Sequence, residues 1–172
     1  MQPKILSGKI GSALILILAV IGVSACGLNA APSSTAPEKS GPVTFSHSVE
    51  VAMAEVPAVK AQEAHEQLKR DPNILIVDVR DAADIAATGI IPEAINVSLG
   101  SLTYKADHEI PKAWRDPNFK NFSRPIITTC EMGELSALAA KLLKDMGYTH
   151  VSRLEGGTVA WQEAGYPTNP VD

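Results

Sequence analysis

The sequence predicts an α/β domain built on a mostly parallel sheet. Three observations carry this reading. "ILIVDV" (74–79) is a continuous β-branched and aliphatic run, the pattern of a strand covered on both faces. "IITT" (126–129) is a second such run, leading into a long helical repeat after residue 133. Strand-like and helix-like segments alternate over most of the second half of the chain.

The N-terminal elements differ in kind from the rest. Met1 to Lys9 carries Lys4 and Lys9, Ile10 to Val23 is free of charge, and Val23-Ser24-Ala25-Cys26 closes the run with small residues. Residues 1–25 therefore read as a signal peptide of the lipoprotein type, with Cys26 as the lipidated residue. The apolar run is short for a membrane span, and several acyl chains attach a protein stably where one does not. Residues 26–50 are expected to form a disordered tether, because "GLNAAPSSTAPEKSGP" (27–42) is rich in Ala, Ser, Pro and Gly without apolar periodicity. The folded domain is assigned to 51–172, although 43–59 shows no pattern that assigns an element.

Within the domain, Ala61 to Arg70 reads as a helix stopped by Asp71-Pro72-Asn73, and 74–79 as a strand. Ala82 to Ala87 is a short helical stretch ending at Gly89, and a second apolar strand lies near Ala94 to Val97. The stretch 99–122, with Pro111 and Pro117, reads as loop with a short helix around Trp114. After the strand 126–129, a helix runs from Gly133 or Glu134 to Met146, with Leu135, Leu138, Ala139, Leu142 and Met146 on one stripe and Gly147 as its terminator. Val151 to Leu154 is a strand, and Thr158 to Ala164 the last helix.

Composition excludes several functions. The net charge of −4 and the lack of a basic block argue against nucleic acid. His47, His65, His108 and His150 are scattered without metal-ligand spacing and read as surface or turn residues, so no metal and no cofactor is expected. Of the two cysteines, Cys130 has no intrachain disulfide partner once Cys26 carries lipid.

Cys130 sits between an apolar strand and a helix entrance, where unpaired backbone N–H groups and the helix field favour a thiolate. Gly133 permits a sharp turn in which amides converge as an anion nest. Glu131 and Glu134 act in the opposite direction, and no Lys or Arg occurs from 125 to 140. On these residues alone, a reactive cysteine and an inert buried one remain equal alternatives.

Three separated segments then resemble the rhodanese-like domain family. "IVDVRDAADIAATGIIPEAINV" (76–97) resembles its D-x-R segment followed by G-x-I-P-x-A-x-N. "IITTCEMGELSALAAKLLKDMGY" (126–148) resembles its central strand, C-x-x-G-x-x-S loop and helix, and "VSRLEGGTVAWQEAGYP" (151–167) its closing L-x-G-G-x-x-x-W segment. The resemblance implies a five-stranded, mostly parallel sheet with helices on both faces, and sulfurtransferase activity. It implies that Cys130 takes up sulfane sulfur as a persulfide, with Glu131, Met132, Gly133, Glu134, Leu135 and Ser136 forming the sulfur-cradling loop. By the same resemblance Asp78 and Arg80 support the site, Gly156-Gly157 make a close turn, and Trp161 packs in the core.

Departures from the family narrow the expectation. Leu135 stands where the family often carries an Arg that would pair with thiosulfate, so thiosulfate is expected to be a poor donor. Ile90 replaces a frequent His and Glu93 a frequent Gly. Phosphatase relatives need a loop one residue longer with an Arg where Ser136 falls. The expected function is an extracytoplasmic sulfurtransferase or sulfur carrier, fed by a small sulfane-sulfur donor or a protein persulfide and held to the membrane through Cys26. Gly27 leans the location toward the outer membrane of a Gram-negative envelope. The alternative is an inactive rhodanese-like binding module, and a weaker third is a redox partner forming a transient intermolecular disulfide.

Overall fold

The computed structural model describes residues 42–171. The expectations for residues 1–25, for Cys26 and for the tether up to Gly41 lie outside the described residues. No helix among the described residues is long and apolar enough to cross a membrane.

The chain forms α1 (Phe45–Glu55), β1 (Ala58–Val59), α2 (Ala61–Arg70), β2 (Leu75–Asp78), α3 (Ala82–Thr88), β3 (Ile95–Asn96), α4 (Leu99–Lys105), β4 (Ile126–Thr129), α5 (Glu134–Asp145), β5 (Val151–Leu154) and α6 (Gly157–Glu163). Two 3-10 turns, Lys112–Trp114 and Pro117–Phe119, interrupt the stretch between α4 and β4. The five strands form one sheet in the order β1-β5-β4-β2-β3, parallel at every pairing.

Side chains alternate across this sheet, as a strand period of two requires. Leu75 and Val77 join one buried cluster with Leu102, Phe119, Ala140 and Leu143. Ile76 and Ile127 join the other with Val59, Ala64, Leu154 and Trp161. Helices α1, α4 and α5 pack together on the first face, and α2 meets α6 on the second. Covering both faces explains why β2 reads as an unbroken apolar run. Trp161 is buried, and its Nε1–H donates to Pro167 O at 2.9 Å.

Three elements differ from the sequence reading. Helix α1 was not legible, and the tether limit at residue 50 falls inside it; Thr44 caps it, its Oγ1 accepting the His47 N–H at 3.2 Å. Its buried face is only Val49 and Ala52, too small a stripe to register as a period. Lys141 pairs with the Glu55 carboxylate at 2.9 Å, and Lys144 Nζ donates to Glu55 O, fastening α1 to α5. Helix α4 occupies part of the expected 99–122 loop, and β1 is a two-residue strand.

The face of α5 is also shifted. Ser136, Ala137, Ala139, Ala140 and Leu143 are its buried residues, so mostly small side chains meet the sheet. Leu138 and Leu142 instead line a cleft with Val43 and Val51 on the α1 side. His65 and His108 are half-buried rather than free on the surface, stacked on Tyr166 at 4.0 Å and Phe122 at 4.1 Å.

Glu93 adopts φ +65°, the one non-glycine residue with positive φ among the described residues. The left-handed region costs an L side chain about 1–2 kcal/mol, and Glu93 is exposed, so little packing offsets that cost. Glu93→Gly is therefore expected to raise stability by about 1 kcal/mol, read as a rise of a few degrees in Tm. An unchanged or lower Tm would show that the backbone there carries no strain.

Candidate active site

The site forms where β4 ends. Cys130 follows the last residue of the strand, and α5 begins at Glu134. Gly133 caps the helix with φ +115°, a conformation open to glycine, which lets residues 130–133 wrap around the sulfur. Cys130 Sγ accepts the N–H of Gly133 at 3.1 Å and of Ser136 at 3.3 Å. Ser136 is fully buried, and its Oγ donates to Gly133 O at 2.9 Å, closing the turn. Thr128 Oγ1 donates to Ser136 O at 2.8 Å, tying the helix start back to β4.

The outer side of the loop is held by α6. Thr158 N–H donates to Cys130 O at 2.8 Å, and Val159 N–H donates to Glu131 O at 3.1 Å. A trans peptide directs its N–H opposite to its C=O. These two bonds therefore turn the amides of Glu131 and Met132 away from α6. Gly157 makes the approach possible: a Cβ there would overlap the carbonyl oxygens of Cys130 and Glu131. The amides of Glu131, Met132, Glu134 and Leu135 have no acceptor among the described residues.

Of the six residues expected to form the cradle, Gly133 and Ser136 supply the amides that reach the sulfur. Cys130 as a residue is 2% exposed, so it lies at the floor of a cleft rather than on an open loop. That cleft has a volume of about 360 Å³, and its walls include Phe45, Arg80, Asp84, Met132 and Leu135. Glu131 and Glu134 also line it, giving three carboxylates against one guanidinium.

Asp78 and Arg80, named above as supporting residues, form a buried ion pair. Arg80 Nη2 is 2.6 Å from Asp78 Oδ2, Nε is 3.0 Å from Oδ1, and the Arg80 N–H also donates to Oδ1 at 3.1 Å. Arg80 donates further to Thr88 Oγ1 at 2.6 Å and Gly89 O at 2.9 Å, locking the end of α3. Asn96 Nδ2 ties β3 to Asp78 O and Arg80 O at 3.0 and 2.9 Å. Burial works against the charged guanidinium, but the Asp78 hydrogen bonds and charge outweigh it. With Glu131 and Cys130 adding in the same direction, Arg80 is held above its ordinary pKa.

A cation thus lines the cleft of Cys130 although none lies between residues 125 and 140, but it is already paired with Asp78. Arg80 comes from the end of β2, fifty residues upstream, and a window around Cys130 could not contain it. Arg153 of β5 is a second case. Its Nη1 lies 3.9 Å from where a Cβ on Gly133 would stand, and its buried Nε has no hydrogen-bond partner among the described residues. Phe45 and Asp84 were also missed; the alternation of α3 and the weak pattern of α1 held no signal that either faces a site.

A family model for the rhodanese-like domain matches residues 60–164. A sulfurtransferase from Allochromatium vinosum is 30% identical over 109 residues, covering 63% of this chain and 91% of that protein. Among solved structures, a Rhodopseudomonas palustris protein of unknown function, described as a possible tyrosine phosphatase, superimposes with a TM-score of 0.69 at 28% identity. It covers 77% of this chain and 98% of its own. The polysulfide-sulfur transferase of Wolinella succinogenes superimposes with a TM-score of 0.57 at 25% identity, over 73% of this chain and 86% of its own. Helix α1 and strand β1 precede the matched segment, which takes in every other element together with the Cys130 loop. The chain belongs to the rhodanese-like domain family.

Proposed function

We propose that the protein is a sulfurtransferase or sulfur carrier that moves sulfane sulfur through a persulfide on Cys130. The observation that carries this reading is the sulfur itself: it takes two backbone N–H groups, while four neighbouring amides of the same loop stay uncommitted. In the first half-reaction the Cys130 thiolate attacks the outer sulfur of a donor R–S–SH. The new S–S bond forms as the donor S–S bond breaks, R–S⁻ leaves, and the proton stays on the transferred sulfur. In the second, an acceptor nucleophile attacks that outer sulfur, becomes Nu–SH, and regenerates the thiolate. No external oxidant or reductant enters. The free amides are the groups available to hold the second sulfur and the charge that moves through it.

The cleft walls select the donor. Asp84, Glu131 and Glu134 repel a dianion, whereas Phe45, Met132 and Leu135 offer apolar contact. A polysulfide chain, a neutral persulfide or a protein-bound persulfide fits better than thiosulfate. The same carboxylates, with Ser136 in place of a clamping Arg, weigh against phosphate ester hydrolysis. The alternative of an inactive binding module draws on Met132, which is 62% exposed beside the cleft. We further propose that Cys26 carries lipid and holds the domain on the extracytoplasmic side of an envelope membrane, a reading supported by the sequence around it.

Three outcomes follow from these assignments. Treatment with polysulfide should give a one-sulfur adduct on Cys130 by mass spectrometry, absent from Cys130→Ser. If polysulfide, an alkyl persulfide and thiosulfate all leave Cys130 unmodified, the transferase reading falls and the binding module takes its place. Leu135→Arg should raise kcat/KM for thiosulfate about tenfold by placing a guanidinium at the cleft rim; an unchanged value would mean that rim charge does not limit this donor. Fatty-acid labelling in a bacterial host should mark the wild-type chain and spare Cys26→Ser, and equal labelling of the two would remove the anchor assignment.

A further inference from the structure

A cavity larger than the Cys130 cleft lies elsewhere on the described structure. It has a volume of about 570 Å³ and lies against the segment between α4 and β4. Lys105, Lys112, Arg115 and Lys120 line it together with His108, and Asp116 is its one carboxylate. The segment that carries it leads into β4, while Cys130 follows the last residue of β4. The two sites thus lie at opposite ends of that strand.

Its charge is concentrated against the trend of the chain. The protein carries −4 overall, yet five of its 15 Lys and Arg residues fall between 105 and 124. Among the described residues, none of the four cations lining the cavity is within 4 Å of a carboxylate. The neighbouring acids serve their own turns. Asp116 Oδ1 accepts the Asn118 N–H and Nδ2, both at 2.9 Å, and Asp107 Oδ1 accepts the Glu109 N–H at 2.7 Å.

The cavity wall is built by internal bonds. Arg115 Nε donates to Ile110 O at 2.6 Å, which orients the guanidinium and leaves its two terminal nitrogens unbonded among the described residues. Tyr148 Oη lies 2.9 Å from Ala106 O and 2.8 Å from Phe119 O, bridging the two sides of the segment. Burial, and then the charge of Asp107, pushes Tyr148 up to about 12, so the bridging hydroxyl stays neutral. His108 Nε2 donates to Phe119 O at 2.8 Å, and Nδ1 has no partner among the described residues.

We propose that this cavity binds a multiply charged phosphate-type anion, carried by a soluble phosphate compound or by a lipid headgroup. A guanidinium fork with three ammonium groups matches the oxygen density of linked phosphates, and charge-assisted bonds to them are the strong kind. The site is independent of the Cys130 chemistry.

The test is calorimetric titration of the full-length protein with inorganic pyrophosphate, for wild type and for Lys112→Glu/Arg115→Glu. Binding in the wild type that weakens about tenfold or more in the variant, and weakens with added salt, is the expected result. Lys112→Gln/Lys120→Gln serves as a second variant that leaves the Arg115 bond to Ile110 intact should the first misfold. Cosedimentation with phosphatidylglycerol vesicles, compared with phosphatidylcholine vesicles, separates the two sources. A loss of phosphatidylglycerol binding in the variants, competed by pyrophosphate, assigns a headgroup; pyrophosphate binding without it assigns a soluble ligand. If wild type binds neither probe, or if the variants bind both as wild type does, the proposal is overturned. Sulfur loading of Cys130 should be the same in all three proteins.

Discussion

The site depends on the contact between the first turn of α6 and the back of the Cys130 loop. Two N–H groups of α6 take the carbonyls of Cys130 and Glu131, and every other property of the loop follows from that fixed orientation. Each such bond contributes only about 1 kcal/mol to stability. Their larger effect is geometric, because a peptide plane held by its oxygen is held by its hydrogen as well. Gly157 is the residue that permits the contact, since any side chain there would meet the two oxygens that must be bound. The loop is thus shaped from outside by α6 and from inside by the sulfur, Gly133 and Ser136.

A second constraint fixes the neighbouring strand end. The Asp78–Arg80 pair is buried, and its hydrogen bonds reach the end of α3. Removing one partner of such a pair typically costs about 3–5 kcal/mol, because the other charge is left without compensation. The pair also accounts for an electrostatic feature of the cleft. Arg80 is neutralised by Asp78, so the three acidic residues at the walls set the sign that an approaching anion meets.

How much of this was legible depended on the range over which each signal acts. Strands β2, β4 and β5 and helices α2, α5 and α6 were visible because burial on two faces writes a continuous or periodic pattern into neighbouring residues. Cys130, Gly133 and Ser136 were visible for the same reason, being a local turn. Helix α1 was not, since its anchors are Val49, Ala52 and two lysine contacts from α5. The leucine stripe of α5 showed the helix but not its partners: alanines are its buried residues, and Leu138 and Leu142 also line a cleft on the α1 side. Arg80 and Arg153 come near the loop because a parallel sheet gathers distant strand ends at one edge, and Phe45 and Asp84 line its cleft from helices α1 and α3. The left-handed backbone at Glu93 shows the converse, a local conformation retained where the side chain does not favour it.

The depth of the sulfur has a consequence for what can touch it. An atom at the floor of a walled cleft is reached only by something slender whose reactive end projects beyond its bulk. A terminal sulfane atom has that form. A disulfide embedded in a folded surface does not, and neither does a second Cys130 on another copy. An unpaired thiol in an oxidising surrounding is prone to capture as a mixed disulfide, and this shape is a steric filter against bulky disulfides.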